Sequence, residues 1–144
     1  MERVVTASRT IAASAEAIFE LIADPSRQPE WDGNDNLAVA APGQRVRAVG
    51  DVFVMTLTQG EDRENHVVEF VEGRRIAWRP SEPGRPQPGH QWGWILEPID
   101  ASHTRVTHVY DWTQLTDPKR LPKAAGWTSE NLSASIDRLA KAVE

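Results

Sequence analysis

The order of apolar and polar positions predicts an α+β chain in which two short helices interrupt a sheet near its N-terminus. Residues 2–12 alternate loosely and are rich in β-branched side chains, which predicts a first strand. Apolar residues then recur on one face at the helical period: Ala15, Ile18, Phe19 and Ile22. Ser14 suits the N-cap of this first helix, and Asp24-Pro25 ends it and starts a second helix that runs towards Trp31.

Between residues 36 and 112 the chain alternates with the two-residue period of strands, interrupted by short turns. The pattern predicts six strands, over residues 36–41, 51–58, 63–71, 74–79, 91–97 and 104–112. Their short connections favour an antiparallel meander. The one long connection, residues 80–89, holds four prolines and is expected to be extended and mobile.

The last segment predicts a long amphipathic helix of about six turns, from Asp117-Pro118 to the C-terminus. Pro122 and Gly126 weaken its first turns, which gives the regular helix an alternative start near residue 122. Its apolar stripe consists of Leu121, Ala125, Thr128, Leu132, Ile136, Leu139 and Val143. The mixed charges on its other face are typical of a surface in contact with solvent.

Tryptophan is the residue type that stands out, because the chain has six Trp but one Tyr and three Phe. Alternation gives each strand one apolar face, and these faces carry Phe53, Met55 and Leu57; His66, Val68 and Phe70; Ile76 and Trp78; Trp92, Trp94 and Leu96; Val106, His108, Tyr110 and Trp112. For any single Trp, a place in a filled core is the simpler interpretation. Large rings at every inward position would overpack a solid core, however, so the set predicts an apolar cavity.

We expect the C-terminal helix to close this cavity, with the small Ala125 and Thr128 leaving room for a ligand near its N-terminal half. Trp31 and Trp127 are expected at the mouth of the cavity or on the surface. The predicted ligand-binding residues are Trp31, Phe53, Met55, Phe70, Trp78, Trp92, Trp94, Tyr110, Trp112, Ala125, Thr128 and Leu132.

Three polar side chains on the predicted inner faces, His66, His108 and Tyr110, are candidates for orienting a ligand or transferring a proton. For each histidine, a hydrogen-bonded place in the core is the simpler interpretation. His90 and His103 are expected at exposed turns. No histidine spacing matches a metal site, and no nucleotide-binding or serine-hydrolase motif is present, so neither a metal nor a cofactor is predicted.

Composition narrows the function classes further. The net charge of −5 and the scattered arginines argue against a nucleic-acid surface, and the absence of Cys excludes thiolate chemistry and disulfides. No signal peptide and no apolar run of membrane-spanning length is present, so we expect a soluble cytoplasmic protein without stable membrane insertion. The length of 144 residues fits a single domain over residues 1–144.

Several local sequences, in this order, resemble the START-related helix-grip superfamily (SRPBCC), in its polyketide cyclase/dehydrase branch. They are Ile11-Ala12-Ala13-Ser14-Ala15-Glu16-Ala17-Ile18-Phe19, Pro29-Glu30-Trp31-Asp32, Glu72-Gly73-Arg74-Arg75-Ile76-Ala77-Trp78, Leu96-Glu97-Pro98 and Thr104-Arg105-Val106-Thr107. The resemblance covers nearly the whole chain. It implies a helix-grip fold, a curved antiparallel sheet of seven strands around a long C-terminal helix and a cavity, but no single reaction.

The favoured hypothesis is therefore a protein that binds a hydrophobic small molecule, such as a lipid, a polyketide or an aromatic metabolite. The alternative is a cyclase or dehydratase in which His66, His108 or Tyr110 transfers protons. A weaker alternative is a cochaperone-like interaction module, which the resemblance and the proline-rich loop suggest. A sheet edge near the first strands offers a site for pairing in a homodimer.

Overall fold

The computed structural model describes residues 2–144, which form a seven-stranded antiparallel sheet with four α-helices. The strands are β1 (Val4–Ile11), β2 (Leu37–Val39), β3 (Val52–Leu57), β4 (Asp62–Val71), β5 (Arg75–Ser81), β6 (Gln91–Asp100) and β7 (His103–Asp111). The helices are α1 (Ala15–Ala23), α2 (Gln28–Trp31), α3 (Leu121–Ala125) and α4 (Ser129–Val143), with a 3-10 turn over Pro25–Arg27. The strand order β1-β7-β6-β5-β4-β3-β2 confirms the predicted meander and the helix-grip fold class.

Ser14 caps α1 as predicted, whereas Asp24 caps the 3-10 turn that leads into α2 and not α2 itself. The Ser14 side chain accepts a hydrogen bond from Ala17 N at 3.2 Å, and the Asp24 carboxylate accepts one from Ser26 N at 3.1 Å. Two side chains of α2 then donate back to carbonyls of α1: Gln28 Nε2 to Ile22 O at 2.9 Å, and Trp31 Nε1 to Leu21 O at 2.7 Å. These bonds hold α2 against α1 and place Trp31 inside the fold, where 3% of its surface is exposed.

A β-bulge in β4 changes which of its residues face the core. Val67 pairs with Trp78 but Glu69 pairs with Ala77, so that Val68 has no partner across the ladder. The inward positions are Asn65 and Val67 before the bulge, and the apolar position after it is Phe70. We predicted that His66, Val68 and Phe70 share the inward face of β4, and for His66 this prediction is wrong.

His66 lies on the outer side of the sheet. It follows the inward Asn65, pairs with Arg79, and its Nε2 lies 3.1 Å from Ser81 Oγ. The prediction that His66 faces inward assumed an unbroken two-residue alternation along β4. The bulge inserts one residue, and an inserted residue reverses the face of every residue on one side of it.

The C-terminal segment is divided into α3 and α4, which corrects the expectation of one continuous helix. Thr128 has an extended backbone, with φ −124° and ψ 165°, and a residue in that conformation cannot continue a helix. It caps α4 instead: its Oγ accepts from Asn131 N, and Asn131 Oδ1 accepts from Thr128 N at 2.9 Å. No helix within residues 2–144 has the length and apolarity needed to cross a membrane.

The interior has two parts, which we call the filled half and the open half. The filled half lies between the sheet, α1 and the later turns of α4, and contains among others Phe19, Phe53, Trp94, Leu96 and Ile136. The open half lies beside α3 and the first turns of α4, and contains Tyr110, Trp112, Leu115, Ala124 and Leu132. A cavity remains beside this second cluster, and Trp31 and Trp78 of the filled half also line it.

Candidate ligand-binding cavity

The cavity lies between the inner face of the sheet, α2, α3 and the start of α4, and has a volume of about 140 Å³. A closed apolar cavity of roughly 150 Å³ holds a benzene ring, which sets the scale of the molecule that would fit. Five aromatic side chains of the wall come from three different regions of the chain: Trp31, Trp78, Trp92, Tyr110 and Trp127. The wall reaches solvent at α3, where Lys123 is exposed.

Half of the predicted binding set lies in the cavity wall. These residues are Trp31, Met55, Trp78, Trp92, Tyr110 and Leu132. Trp31 is buried in the wall, whereas we expected it at the mouth or on the surface; Trp127 is half-buried and packs edge-on against Trp92 at 4.8 Å. Whether any of these residues binds a ligand stays a prediction.

Four predicted wall residues are packed in the interior and do not line the cavity. Trp94 is 0% exposed and stacks on His108, with ring centroids 3.7 Å apart. Phe70 packs edge-on against Phe19 at 5.7 Å, and Phe53 packs against the rear of the wall residue Trp78 at 5.3 Å.

Trp112 is the fourth of these, and it packs in the open half without reaching the cavity. The guanidinium of Arg3 lies over its ring, 4.8 Å from the centroid. Strand alternation assigned the correct face to Trp94, Phe53 and Trp112, but alternation carries no information on how deep along that face the cavity extends.

Ala125 and Thr128, the two remaining predicted wall residues, are exposed. The predicted apolar stripe puts Ala125 and Thr128 on the inward face only if one continuous helix runs through residues 117–143. Since α3 ends at Ala125 and α4 starts after Thr128, the inward position on α3 is Ala124, which is 2% exposed and lines the cavity.

The wall is more polar than the sequence suggested. Polar and charged side chains that line it are Gln28, Asp32, Asn34, Asn36, Arg63, Asn65, His90, His108, Arg120, Lys123 and Ser135. Arg63 and Asn65 follow from the corrected alternation of β4, and the spacing of Arg120, Lys123 and Ala124 fits one face of a short helix. No sequence feature distinguished His90, which we expected at an exposed turn.

His108 is held between two tryptophans on neighbouring β6. It stacks on Trp94 at 3.7 Å and lies nearly parallel to Trp92 at 5.7 Å. Its Nδ1 is 2.8 Å from Gly93 O, and since a carbonyl only accepts, Nδ1 carries the proton and Nε2 is an acceptor in the neutral ring. Within residues 2–144, Nε2 makes no hydrogen bond, so it is available to a donor in the cavity.

Burial controls the charge of the three titratable groups nearest the aromatic wall. Desolvation lowers the pKa of His108 to about 4 and raises the pKa of Tyr110 to about 12. Desolvation also lowers the pKa of His90 to about 4, and Arg120, Lys123 and Arg63 add to the effect. At neutral pH the cavity therefore presents two uncharged imidazoles and a protonated phenol.

A family model described as polyketide cyclase/dehydrase and lipid transport matches residues 2–144. The chain belongs to that family. Two uncharacterized proteins of Mycobacterium tuberculosis are 29% identical to this member of the family over 113 residues, or 75% of the chain and 47% of theirs. The chain thus spans about half the length of these curated relatives.

Solved structures similar to this member of the family share its fold. A Mesorhizobium loti protein superposes with a TM-score of 0.70 at 15% identity, over 96% of this chain and 95% of the other. A START superfamily protein of Mycobacterium smegmatis superposes with a TM-score of 0.68 at 18% identity, over 99% and 97%. The predicted relation to the START-like, polyketide cyclase-like proteins is confirmed, and at these identities the superpositions establish the fold alone.

For this member of the polyketide cyclase/dehydrase and lipid transport family, the cavity chemistry favours hydrogen bonding over proton transfer. A general acid or base is most effective with a pKa near the working pH. The pKa of about 4 for His108 lies about three units below pH 7, and the pKa of about 12 for Tyr110 about five units above it. His108 Nε2 is thus suited to accept a hydrogen bond, and the Tyr110 hydroxyl to donate one.

Proposed function

We propose that the protein binds a small, ring-containing hydrophobic molecule in the cavity of the open half. One observation carries the proposal: a cavity of about 140 Å³ persists inside a fold whose other half is closely packed. The aromatic rings of the wall lack packing partners on the side that faces the cavity, and dispersion attraction is lost there. A ligand would restore those contacts.

The wall limits the size and shape of that ligand. Trp92 and Tyr110 lie 4.3 Å apart between ring centroids, and Trp127 packs edge-on against Trp92, so the three present flat apolar surfaces to one space. The volume of about 140 Å³ accommodates one ring with a short substituent, and a long lipid chain or a polycyclic polyketide would extend out of the opening at α3. We therefore place aromatic metabolites ahead of lipids and polyketides.

Neighbouring alanines on α3 offer a matched test of binding. Ala124 lines the cavity, whereas Ala125 is exposed. We expect A124F to fill the space and weaken binding of toluene or indole by about tenfold or more, with A125F binding like the parent protein. Isothermal titration calorimetry measures both affinities, and thermal unfolding checks that both variants fold. Equal affinities in A124F and the parent protein would rule out the cavity as the site.

Cyclase or dehydratase chemistry is the second candidate function, and one observation favours it. His108 and Tyr110 lie two residues apart on β7 and both line the cavity, so an acceptor and a donor face the same ligand. If this function holds, H108A and Y110F lower turnover of a polyketide-like substrate while binding is retained. H66A serves as the control because His66 lies on the outer side of the sheet. Undiminished turnover in both cavity variants rules out this role.

The remaining expectations from the sequence stay predictions. They are a single domain over residues 1–144, a cytoplasmic location, a homodimer, and partner binding by the proline-rich loop. The loop test is deletion of residues 83–88 followed by a pull-down, and an unchanged set of partners would count against the interaction role.

A further inference from the structure

We propose that the ligand carries an oxyanion, a carboxylate or a phosphate ester, joined to the ring that the aromatic wall holds. The proposal rests on the proposed binding function and names the class of ligand. Three cationic side chains line the same cavity although the chain as a whole has a net charge of −5. They are Arg63, Arg120 and Lys123.

These cations reach the cavity from separate elements. Arg63 is an inward residue of β4, opposite Met55 of β3 in the ladder. Arg120 precedes α3, and Lys123 lies within it. Convergence of three positive charges on one cavity raises the electrostatic energy of the empty protein, and a bound anion lowers it.

Nearby carboxylates neutralise the three cations only in part. Arg63 lies 3.6 Å from Glu61, and Arg120 lies 3.6 Å from Glu82 and 3.5 Å from Asp117. These distances exceed the roughly 2.7–2.9 Å of a tight charge-assisted hydrogen bond. The three acids are half-exposed and lie outside the cavity wall, so each pair is weakened by solvent.

Within residues 2–144, Lys123 makes no salt bridge at all, and one carboxylate, Asp32, belongs to the wall. Asp32 already accepts three backbone N–H groups: its Oδ1 from Asn34 at 3.1 Å, and its Oδ2 from Asn36 and Leu37, each at 2.7 Å. These bonds fix the turn between α2 and β2. Asp32 is therefore committed to the fold, and the wall retains an excess of positive charge.

The lowered pKa of His90 reports the same field. Beyond its burial, the charges of Arg120, Lys123 and Arg63 disfavour a further proton on this ring. His90 lies beside Tyr110, with ring centroids 6.3 Å apart. A ligand with its ring beside Tyr110 would thus have its acidic group near His90, within the field of these three cations.

Isosteric probes separate the charge from the ring. Phenylacetate and phenylacetamide have the same shape and differ in charge, and phenyl phosphate supplies the second oxyanion. Calorimetry at low salt is expected to give about tenfold tighter binding of phenylacetate or phenyl phosphate than of phenylacetamide, with the difference reduced at high salt. At pH 5, where both anions carry about one negative charge, the tighter of the two identifies the class.

Two lysines in the same segment provide the matched control. Lys123 lines the cavity, whereas the exposed Lys119 does not, and K123Q and K119Q change the net charge equally. We expect K123Q to weaken binding of the anion by about fivefold and to leave phenylacetamide unaffected, while K119Q leaves both unchanged. R120Q is expected to behave like K123Q.

Two results would contradict the oxyanion proposal while leaving the proposed binding function intact. One is equal affinity for phenylacetate, phenyl phosphate and phenylacetamide; the other is an equal loss of anion affinity in K119Q and K123Q. The second result would mean that the anion is attracted by the overall charge of the protein and not by Lys123 in the cavity wall. Failure of all three probes, together with failure of toluene and indole, would instead remove the proposed function and this inference with it.

Discussion

The filled half and the open half of this protein contain the same kinds of side chain, but the first is closely packed and the second borders a cavity. In the filled half, Trp94 is fully buried against His108, and Phe19 and Phe70 close the space between α1 and the sheet. In the open half, rings such as Trp92 and Tyr110 surround a cavity of about 140 Å³. Aromatic content therefore does not distinguish a core from a binding site.

The difference lies in the helices that cover each half. Over the filled half, α1 and the later turns of α4 present large residues such as Phe19 and Ile136. Over the open half the covering element is the five-residue α3, whose inward residue is the small Ala124. The extended backbone at Thr128 separates α3 from α4, and residues of both segments, Ala124 and Leu132 among them, line the cavity.

Truncating one tryptophan in each half gives the largest expected contrast. W94A removes a fully buried ring and is expected to lower the free energy of unfolding by about 3–5 kcal/mol. W92A removes a half-buried ring beside existing space and is expected to cost about 1–2 kcal/mol, because fewer contacts are lost. Urea unfolding measures both. Equal losses would mean that the two halves are packed alike.

Acid titration sharpens the comparison through His108, which lies where the halves meet. Its pKa is about 4 when folded against a usual value near 6.5, so between these values the unfolded chain binds the proton and the folded protein does not. Stability attributable to His108 is therefore complete above pH 6.5 and falls as the pH drops, by about 3 kcal/mol at pH 4.

Comparison with H108N isolates this contribution, because acidic groups that titrate in the same range cancel between the two proteins. Urea unfolding as a function of pH is expected to give a steeper fall for the parent protein than for H108N. Parallel curves would show that His108 is not held neutral by burial.

Two glycines test the contacts that hold the polar side of the cavity. A Cβ at Gly33 would lie 2.5 Å from the carbonyl carbon of Ala134 in α4, whereas a Cβ at Gly93 in β6 would meet nothing closer than 3.6 Å. We expect G33A to cost about 1–3 kcal/mol by forcing the α2–β2 turn away from α4. G93A is the control and should cost less than G33A. A tolerated G33A in thermal unfolding would contradict this close approach.

Removing the cap of α4 has the smallest expected effect on stability. T128A loses the side-chain bond to Asn131 N and is expected to cost about 1 kcal/mol. T116A is a control of the same chemistry, because Thr116 is an exposed residue outside the cavity wall. Equal stability of T128A and the parent protein in thermal unfolding would contradict the capping role.

The sequence predicted the strands and their order because alternation and turn residues are local properties that the sheet retains. The prediction that His66 faces inward was wrong because a β-bulge inserts a single residue into β4. No side chain of β4 indicates where this shift in register occurs. For Ala125 and Thr128 the information was present in part: Gly126 weakens the helix, and Thr128 with Asn131 suits a cap. The apolar stripe outweighed it in the prediction.

The polar part of the wall was harder to predict. His90 and Asp32 reach the cavity through loops whose paths depend on long-range contacts, such as the hydrogen bond from Gly33 N to Ser135 Oγ at 3.0 Å. The depth of each side chain relative to the cavity was also unpredictable. Trp92 and Trp94 share a face of β6, but Trp92 lines the cavity and Trp94 lies behind His108. Alternation assigns faces, whereas the cavity depends on which rings the opposing helices cover.

The central claim, that the cavity beside α3 binds a ring while the closely packed interior around Trp94 does not, is tested most directly by the indole N–H signals of the six tryptophans during titration with toluene. We predict that the signals of the four wall tryptophans, Trp31, Trp78, Trp92 and Trp127, shift with saturation, while those of Trp94 and Trp112, which do not line the cavity, stay in place. Unchanged signals throughout, or shifts centred on Trp94 and Trp112, would contradict the account.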